Sequence, residues 1–556
     1  MRFITIFLVA LCLIPAALQA EVIPVVYDKP LALRPDPGIS YSSPMSEYHR
    51  ALDDWLNVRI NSDNSGQVQN EQQVVVNPTN LSNVVAVWRD FRLGYRRVGV
   101  GYSFDGGWNW TDDLFVEPTY PWQSDPGLTW HTSGAIYAVL ISYDPSGEDG
   151  LFVAQSTDGG VNWGPFIPAV HGVPDSFEDK ELIACDRSGS QYDGNLYVAW
   201  TKFAASTGIH VVRSTTQGQS WDDPVLISDN SGVQWPVPAV GPNGEVYVAW
   251  VKYYTESIRF DKSLDGGLTW GDDLIVQPTS FASASINPDL LIFAFPAMDV
   301  DITEGANRGN IYIAYTDDWY GDTDIFFTGS RNGGLNWSSP IRVNDDDVGN
   351  GADQFHPWLV CDEEGTLHLV FYDRRNDIPQ NLYMDLYYTY SVDAGMTWSP
   401  NERITEVSSN PAHDSLDSGL IGEYNGLAVA GGVIHPVWTD TRDLNQDTYT
   451  AVWDTSASAP GLIQHPLAGT QVGGLLDAAP NPFNSAVEIC VRILEPGWMG
   501  LTVYDLGGRK VATLAAGEFA PGTVKRVWEP VGPTGVYLIR VVNASGSEVR
   551  KVLYLK

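Results

Sequence analysis

Three loops of the chain carry an Asp closely followed by an Arg, a pairing that suits either anion binding or a structural ion pair. Each loop follows an apolar run that ends in an aromatic residue, and they read Trp88-Arg89-Asp90-Phe91-Arg92, Tyr372-Asp373-Arg374-Arg375 and Trp438-Thr439-Asp440-Thr441-Arg442. A guanidinium fork matches the geometry of a carboxylate, so several arginines on one arc could hold a carboxylated ligand. The predicted ligand-binding residues here are Arg92, Arg374, Arg375, Asp440 and Arg442. Ion pairs formed within the loops are the alternative, and the spacing alone leaves both open.

Two acidic stretches could supply oxygen ligands to calcium. They are Asn344-Asp345-Asp346-Asp347 and the pair Asp322 and Asp324, and Ca²⁺ takes carboxylate and carbonyl oxygens. Solvated acidic loops would have the same composition. The nine histidines show no metal-ligand spacing, so the sequence predicts no metal site and no cofactor, with Ca²⁺ as the one open possibility.

An octapeptide recurs six times and indicates the elements that would position these loops. The first copy runs from Ser103 to Trp110 as Ser-Phe-Asp-Gly-Gly-Trp-Asn-Trp, and the others begin at Ser156, Ser214, Ser263, Ser330 and Ser391. Gly permits the positive φ of a tight turn, and the Asp side chain can accept backbone N–H bonds inside it. The structural residues at the Asp position are Asp105, Asp158, Asp265, Asn332 and Asp393, while the degenerate third copy has Thr216.

Short apolar runs between the octapeptides predict strands that are buried on both faces. Leu196 to Trp200 and Val246 to Trp250 are examples, and a run of this kind precedes each octapeptide. A further run, Val433 to Trp438, has no octapeptide after it. The predicted fold is therefore an all-β propeller of four-stranded blades, with seven blades favoured and six as the alternative. The segment 57–61 resembles an outer strand and would complete the last blade.

A ligand site is expected at one end of such a ring, around the mouth of its central channel. The inner strands begin and the second strands end there. Lys180 and His356 at predicted strand starts are added to the ligand-binding candidates for this reason. The other residues at these positions are Glu71, Gln72, Asp179, Glu181, Trp235, Phe295, Trp358, Glu423 and Tyr424.

The octapeptide is the Asp box, and with it the chain resembles the sialidase-like, or bacterial neuraminidase repeat, propeller proteins. The resemblance implies a glycoside hydrolase that holds sialic acid with three arginines, with a Tyr activated by Glu as nucleophile and an Asp as acid/base. Carried over residue by residue, it implies catalytic roles for Tyr424 with Glu423, and for Asp90 or Asp373. In that family the boxes are structural turns away from the active face.

Two features of the chain depart from the sialidase pattern. The Phe/Tyr-Arg-Ile-Pro motif that carries the first sialidase arginine is absent. The favoured blade count is seven, where sialidases have six. We therefore expect a propeller that binds a glycan or another extracellular ligand, with a sialidase-like hydrolase and a structural adhesion protein of the cell surface as alternatives.

The two ends of the chain predict export. Residues 1–20 have the charged start, apolar run and Ala17-Leu18-Gln19-Ala20 ending of a signal peptide cleaved after Ala20. The motifs Ala479 to Asn484, Val503 to Val511 and Gly535 to Arg540 closely resemble the type IX secretion sorting domain and the related FlgD-like immunoglobulin domain. That resemblance implies passage through secretion machinery to the outside or the outer cell surface. The alternative for this segment is a plain β-sandwich spacer.

The resulting domain boundaries are a signal peptide (1–20), an N-terminal extension (21–56), the propeller (57–455), a linker (456–474) and a small immunoglobulin-like β-sandwich (475–556). The formal net charge is −36, and a surface this acidic would repel phosphate backbones, so nucleic acid is not an expected partner. No apolar run in the mature chain is long enough for a transmembrane span.

Overall fold

A computed structural model describes residues 55–116, 120–144, 149–173, 175–412, 420–454, 476–480, 483–493, 496–505, 510–530, 534–543 and 546–555. The chain divides into two compact units, Met1–Ala459 and Pro460–Lys556. The predicted signal peptide, nearly all of the N-terminal extension and the predicted linker lie outside the described residues. Among the described residues no helix is long and apolar enough to cross a membrane.

The first unit is built from seven four-stranded antiparallel sheets. Strand β1 (Leu56–Arg59) opens the described chain, and four blades of consecutive strands follow it. Blade 1 comprises β2 (Gln69–Val76), β3 (Val84–Asp90), β4 (Arg97–Ser103) and β5 (Thr111–Leu114); blade 2 comprises β6 (Trp122–Trp130), β7 (Ile136–Tyr143), β8 (Asp149–Ser156) and β9 (Ile167–His171); blade 3 comprises β10 (Phe177–Cys185), β11 (Leu196–Phe203), β12 (Gly208–Ser214) and β13 (Val225–Leu226); blade 4 comprises β14 (Val233–Val240), β15 (Val246–Lys252), β16 (Ser257–Ser263) and β17 (Leu274–Pro278).

A short hairpin separates blade 4 from the last three blades. The hairpin is formed by β18 (Ser283–Ile286) and β19 (Leu290–Phe293). Blade 5 comprises β20 (Ala297–Val300), β21 (Ile311–Asp317), β22 (Asp324–Ser330) and β23 (Ile341–Arg342); blade 6 comprises β24 (Gln354–Cys361), β25 (Leu367–Asp373), β26 (Asp385–Ser391) and β27 (Glu402–Arg403), with the 3-10 turn Arg375–Asp377 after β25; blade 7 contains β28 (Gly426–Ala430), β29 (Val433–Asp440) and β30 (Asp447–Asp454).

Strand β1 closes the ring by becoming the outer strand of blade 7. It pairs antiparallel with β30, from Leu56 opposite Val452 to Arg59 opposite Tyr449. The inner strands β2, β6, β10, β14, β20, β24 and β28 each contact the next, and β28 contacts β2. The predicted all-β propeller is therefore confirmed in its favoured form of seven blades.

The outer strand of each of the last three blades carries an arginine at an equivalent position, and segment 57–61 supplies this arginine in blade 7. Arg59 on β1 lies 2.6 Å from Asp447, the first residue of the neighbouring β30. The same arrangement joins Arg342 on β23 to Asp324 at 2.6 Å, and Arg403 on β27 to Asp385 at 2.7 Å. In these three blades an arginine on the outer strand thus pairs with the aspartate that begins the third strand beside it.

Second strands form the core of each blade, as their apolar runs predict. Every residue of β3 and β7 is buried, and the side chains of Trp88, Trp200 and Trp250 are fully buried. β-branched and aromatic side chains suit this position because they pack against the sheet on either side. Full burial of a large apolar side chain stabilises the fold by roughly 1.5–3 kcal/mol.

The Asp boxes connect third strands to outer strands, and each third strand in blades 1 to 6 ends on the box serine. In the first box Asp105 Oδ1 accepts the backbone N–H groups of Trp108 and Asn109 at 3.1 and 2.9 Å. The equivalent residues make the same kind of turn hydrogen bond, namely Asp158, Asp265, Asn332 and Asp393. The boxes therefore serve as turns, at the opposite end of the blades from the Asp-x-Arg loops.

The second unit contains two sheets that share one apolar core. One sheet has the order β31 (Leu476–Ala479), β32 (Val487–Ile493), β35 (Gly522–Trp528), and the other has the order β34 (Lys510–Phe519), β33 (Gly497–Asp505), β36 (Gly535–Asn543), β37 (Gly546–Tyr554). Phe483, Trp528 and Tyr554 are among the buried residues of the core. This unit is the small β-sandwich that the sequence predicts.

Candidate functional site

Five of the seven inner strands carry a bulge at the same position. The register against the second strand breaks there, for example between Asn70 and Gln73 and between Asp179 and Leu182. The residue at the break has a left-handed backbone, with φ of 58° at Glu71, 49° at Asp125, 56° at Lys180, 59° at Trp235 and 51° at His356. Non-glycine residues seldom adopt this conformation, so the fold holds these five side chains at an energetic cost.

The corresponding residues of blades 5 and 7 are Phe295 and Tyr424, two positions before the first paired residues Ala297 and Gly426. We call the seven residues the axial ring: Glu71, Asp125, Lys180, Trp235, Phe295, His356 and Tyr424. Contacts between blades that are not neighbours place the ring on the axis. Lys180 of blade 3 reaches Glu71 of blade 1 at 3.5 Å, and the Tyr424 hydroxyl of blade 7 donates to the Pro126 carbonyl of blade 2 at 3.1 Å.

One half of the axial ring is charged and centres on the ammonium of Lys180. We call this group, with the two residues that join it, the axial cluster: Glu71, Arg89, Asp125, Lys180 and Glu423. Its Nζ lies 3.3 Å from Asp125 Oδ1, 3.4 Å from Glu423 Oε2 and 3.5 Å from Glu71 Oε1. Arg89 supplies a second cation, 3.2 Å from the same Glu71 oxygen. Glu71 and Arg89 are buried, and the side chain of Glu423 is 12% exposed, so Glu423 connects this cluster to the solvent at the end of the ring where the inner strands begin.

Burial and pairing shift the pKa values of two neighbouring carboxyls of this cluster, Glu71 and Asp125, in opposite directions. Burial raises the pKa of Glu71 to about 8, against the opposing effects of Arg89 and Lys180. Burial acts on Asp125 in the same sense, but Lys180 and the hydrogen bond with Glu71 outweigh it and lower the pKa of Asp125. At neutral pH Glu71 therefore holds a proton beside an ionised Asp125.

The pKa of Glu71 gives a testable pH dependence. Its folded value near 8 lies above the ordinary 4.5, so between these limits the folded chain binds more protons and its stability falls as pH rises. The contribution approaches about 1.4 kcal/mol per pH unit in the middle of that window. We expect Glu71→Gln to flatten the stability profile between pH 5 and 8, measured by urea denaturation. Glu304→Gln, at a 90% exposed side chain, is the control and should leave the slope as it is; a wild-type slope in Glu71→Gln would contradict the assignment.

The other half of the axial ring is aromatic and packed. Trp235 and Tyr424 lie on either side of Phe295, at centroid distances of 6.5 and 5.9 Å. His356 stacks on Phe293 with an interplanar angle of 10°, and burial lowers its pKa to about 3. The predicted ligand-binding residue His356 is thus a neutral, 2% exposed part of the core.

The structure does not bring together the Tyr-Glu pair that the sialidase resemblance implies. The Tyr424 hydroxyl is committed to the Pro126 carbonyl. Glu423 instead accepts the indole N–H of Trp235 at 2.7 Å and pairs with Lys180. These adjacent residues, which lie before β28, therefore have separate partners.

The three Asp-x-Arg loops form ion pairs within their own blades. Arg92 lies 2.8 Å from Asp90, Arg375 lies 2.7 Å from Asp373, and Arg442 lies 2.7 Å from Asp440. Each guanidinium also bonds a residue on or beside the outermost strand of its blade, and these residues are Asp112, Asn401 and Asn57. These contacts correspond to the second interpretation of the sequence, ion pairs formed within the loops, and each guanidinium ties a second strand to an outer strand.

Arg374 has a separate structural position. It is fully buried, donates to the carbonyls of Asn287 and Asn381 at 2.7 and 2.9 Å, and lies over the Phe355 ring. Burial lowers its pKa to about 10. These contacts hold the loop after β25 in place, and a buried guanidinium of this kind is not available to a ligand at the mouth.

The acidic stretches considered for calcium are also internally bonded. Arg342 pairs with Asp324 and Asp346, and the Asn344 amide donates to both of them. Asp345 is bonded by Arg375. Among the described residues no three His, Cys, Asp or Glu side chains are grouped so as to hold a metal ion.

Sequence reasoning missed two members of the axial cluster, Asp125 and Arg89. A signal for Asp125 was present, because the pair Asp125-Pro126 occupies the same place in its inner strand as three other residue–proline pairs, Trp235-Pro236, Phe295-Pro296 and His356-Pro357. Arg89 had no such signal, since it lies inside an apolar second strand where a charge is unexpected.

No protein-family model matches the chain, and no curated protein matches its sequence. Among solved structures it is similar to a protein of unknown function from Dyadobacter fermentans, with 16% identity, 57% of this chain and 93% of that chain covered, and a TM-score of 0.40. It is also similar to a Hadza microbial sialidase, with 14% identity, coverage of 73% and 69%, and a TM-score of 0.42. A third similar structure is an α-L-arabinanase from Penicillium chrysogenum, with 12% identity, coverage of 72% and 98%, and a TM-score of 0.40. The assignment of the fold rests on the seven sheets themselves.

Proposed function

We propose that the chain is an extracellular propeller that binds a glycan or a similar polyhydroxylated ligand at the mouth above the axial cluster, without catalysing its cleavage. The observation that carries the proposal is a fixed set of half-buried polar side chains at this mouth, Asp179, Gln234, Tyr253 and Glu423. We call this set the axial mouth.

Two sets of hydrogen bonds hold the axial mouth in place. Gln234 donates to Asp179 at 3.0 Å and accepts from the Tyr253 hydroxyl. Glu423 is fixed from below by Lys180 and from the side by Trp235. Carboxyl and amide groups placed on a rigid base suit the hydroxyls of a sugar, because little ordering is needed on binding. Tyr254 in the same loop is 56% exposed and offers an aromatic face to a sugar ring.

The arginine geometry favours binding over sialidase-type hydrolysis. Recognition of sialic acid by the resembling family requires several free guanidinium groups, whereas those of Arg92, Arg375 and Arg442 are each bonded within their own blade. Catalytic roles for Asp90, Asp373, Glu423 and Tyr424 therefore receive no support from their contacts.

A glycoside hydrolase of a different kind is the second candidate, and one observation favours it. Glu71 and Asp125 are neighbouring carboxyls whose pKa values are shifted apart, a pattern that suits an acid and a base. Both lie beneath Lys180 and are less than 5% exposed, so a substrate would have to displace the mouth to reach them.

A glycan array and a panel of fluorogenic glycosides, both applied to the full chain, distinguish these functions. We expect binding without turnover, and a loss of affinity of at least about tenfold in Asp179→Asn and Glu423→Gln. Glu304→Gln is the matched control because its carboxylate is on the open surface. Turnover that disappears in Glu71→Gln would establish the hydrolase instead. Absence of both binding and turnover would leave the adhesion protein as the remaining alternative.

We also propose that the chain is exported and sorted through its second unit. The support is the predicted signal peptide at 1–20, together with the resemblance of the last 82 residues (475–556) to type IX sorting domains. Fractionation of cells that possess this machinery tests it. The full chain should reach the medium or the outer surface, whereas a chain ending at residue 459 should stay in the periplasm; equal export of both would contradict the proposal.

A further inference from the structure

In blades 3 and 4 one position of the third strand, at the end where the Asp boxes lie, donates to the Asp box of the following blade. In blades 2 to 5 this position is opposite a tyrosine of the second strand. We call it the bridging position, and its residues are Gln155 opposite Tyr137, Arg213 opposite Tyr197, Lys262 opposite Tyr247, and Gly329 opposite Tyr312.

Long side chains with N–H donors occupy the bridging position in blades 2, 3 and 4. Gln155 donates to the Tyr137 hydroxyl at 2.9 Å. Arg213 and Lys262 donate to the Asp box of the following blade, reaching the Gly266 carbonyl at 2.9 Å and the Gly333 carbonyl at 2.5 Å. The bridging position thus holds an N–H donor in three blades: an amide in blade 2, a guanidinium in blade 3 and an ammonium in blade 4.

Blade 5 lacks this side chain, because Gly329 occupies its bridging position. A cavity of about 250 Å³ opens there between blades 5 and 6. Its lining includes Tyr312 and Gly329 on one side and Ala394, Gly395 and Met396 of the following box on the other. Ala394 holds the place in its box that Gly266 and Gly333 hold in theirs, so its carbonyl corresponds to the acceptors used by Arg213 and Lys262.

Tyr312 lines this cavity, and its hydroxyl is a buried polar group with no hydrogen bond of ordinary geometry. The residue is 1% exposed, and the Asn310 side chain lies near the hydroxyl without a hydrogen bond of ordinary geometry. Burial raises the pKa of Tyr312 to about 12, so the hydroxyl is neutral and can accept a donor. Leaving such a group unpaired disfavours the empty cavity by about 1–3 kcal/mol.

We propose that this cavity is a binding site for an ammonium or guanidinium group carried on a slim aliphatic chain. Such a ligand reproduces the side chain that Lys262 and Arg213 provide in the preceding blades, and it donates to the Tyr312 hydroxyl and the Ala394 carbonyl. The net charge of −36 favours the approach of a cation. Arg331 also lines the cavity and opposes a cation there, but its side chain is exposed and can turn into solvent. Lysine or arginine side chains of a polypeptide carry the same chemistry as a free alkylamine.

The test uses isothermal titration calorimetry on the full chain, with pentylammonium and pentylguanidinium as probes and 1-pentanol as the uncharged control. We expect the cations to bind with a dissociation constant on the order of 1 mM, and pentanol at least about tenfold more weakly. A peptide with one central lysine, compared with its Nε-acetylated form, distinguishes a polypeptide source from a free amine.

Two opposite substitutions make the test specific. Gly329→Lys supplies the missing side chain, and its Cβ would meet Tyr312 Cδ1 at an ordinary 3.4 Å, so the variant should fold and lose amine binding at least about tenfold. Lys262→Gly removes the equivalent side chain in blade 4 and should add a second site, which raises the stoichiometry from one to two. Tyr312→Phe deletes the accepting hydroxyl and should weaken amine binding. This variant provides the test if Gly329→Lys fails to fold.

Wild-type protein that binds neither cation better than pentanol would overturn the proposal. So would amine binding that persists unchanged in Gly329→Lys or Tyr312→Phe. A gain in thermal stability in Gly329→Lys without amine binding to the wild type would show that the cavity is only a packing defect.

Discussion

Replacing Lys180 by Met is expected to lower the free energy of unfolding of the propeller by about 3–5 kcal/mol at pH 7, because it leaves buried carboxylates without their cation. Lys180 Nζ lies within 3.3–3.5 Å of Asp125, Glu423 and Glu71. Met keeps the length and apolar volume of the side chain, so the loss reports the charge. Guanidinium chloride denaturation followed by Trp fluorescence measures it.

Lys202→Met is the matched control for the buried ammonium. Lys202 pairs with the single carboxylate of Glu178 at 3.1 Å and is 22% exposed, and Glu178 keeps the indole N–H of Trp200 as a donor. Lys202→Met should therefore lower the free energy of unfolding by less than Lys180→Met does, because a single carboxylate loses its cation and keeps a donor. Lowering the pH from 8 to 5 should reduce the deficit of Lys180→Met, since the cation that lowers the pKa of Asp125 is gone and this buried carboxyl can take up a proton. Equal losses in the two variants would show that the axial cluster contributes little to stability.

The blades could be predicted from the sequence because their signals are local. The octapeptide specifies a turn through its own hydrogen bonds, and the apolar runs before it specify buried strands. Closure by β1 is a contact between residues nearly 400 positions apart, yet it also left a local signal. Arg59 repeats the pattern of Arg342, because both pair with an aspartate that begins the neighbouring third strand.

The candidate site could be predicted only in part, because the spacing of its residues along the chain is compatible with more than one arrangement in the fold. An Asp two residues before an Arg is compatible with a ligand site and with a pair inside one loop, and only the direction of the guanidinium decides. In Arg92 and Arg442 it points to the outer strand. The residues that do converge, such as Lys180 and Glu423, lie about 240 positions apart and have no shared motif.

The glycine at the fifth position of each Asp box has a function that the turn motif alone does not reveal, since it packs against the preceding blade. A Cβ at Gly395 would collide with the ring of Phe327 in blade 5, and one at Gly334 would collide with Phe260 in blade 4. Phe327 cannot easily move aside, because it stacks on Tyr312 at 5.9 Å and meets Trp398 at 5.2 Å. The boxes therefore hold consecutive blades together as well as turning the chain.

Gly395→Ala is accordingly expected to lower the free energy of unfolding by about 2–5 kcal/mol, from the strain of a left-handed alanine together with overpacking against Phe327. Gly106→Ala is the matched control, because its φ of +75° is close to the +79° of Gly395 but no atom lies within 4 Å of its Cβ. Gly106→Ala should lower the free energy of unfolding only by the strain of the left-handed backbone, about 1–2 kcal/mol. Equal losses in Gly395→Ala and Gly106→Ala would mean that the box acts as a turn alone.

Adding Phe327→Leu to Gly395→Ala isolates the contact between the blades. The smaller side chain makes room for the new methyl group, so the double variant should lose less than the sum of the two single losses, by about 1 kcal/mol or more. Additive losses would place the defect of Gly395→Ala in the turn, whereas a favourable coupling identifies the close approach of box and ring as the reason that this position is glycine.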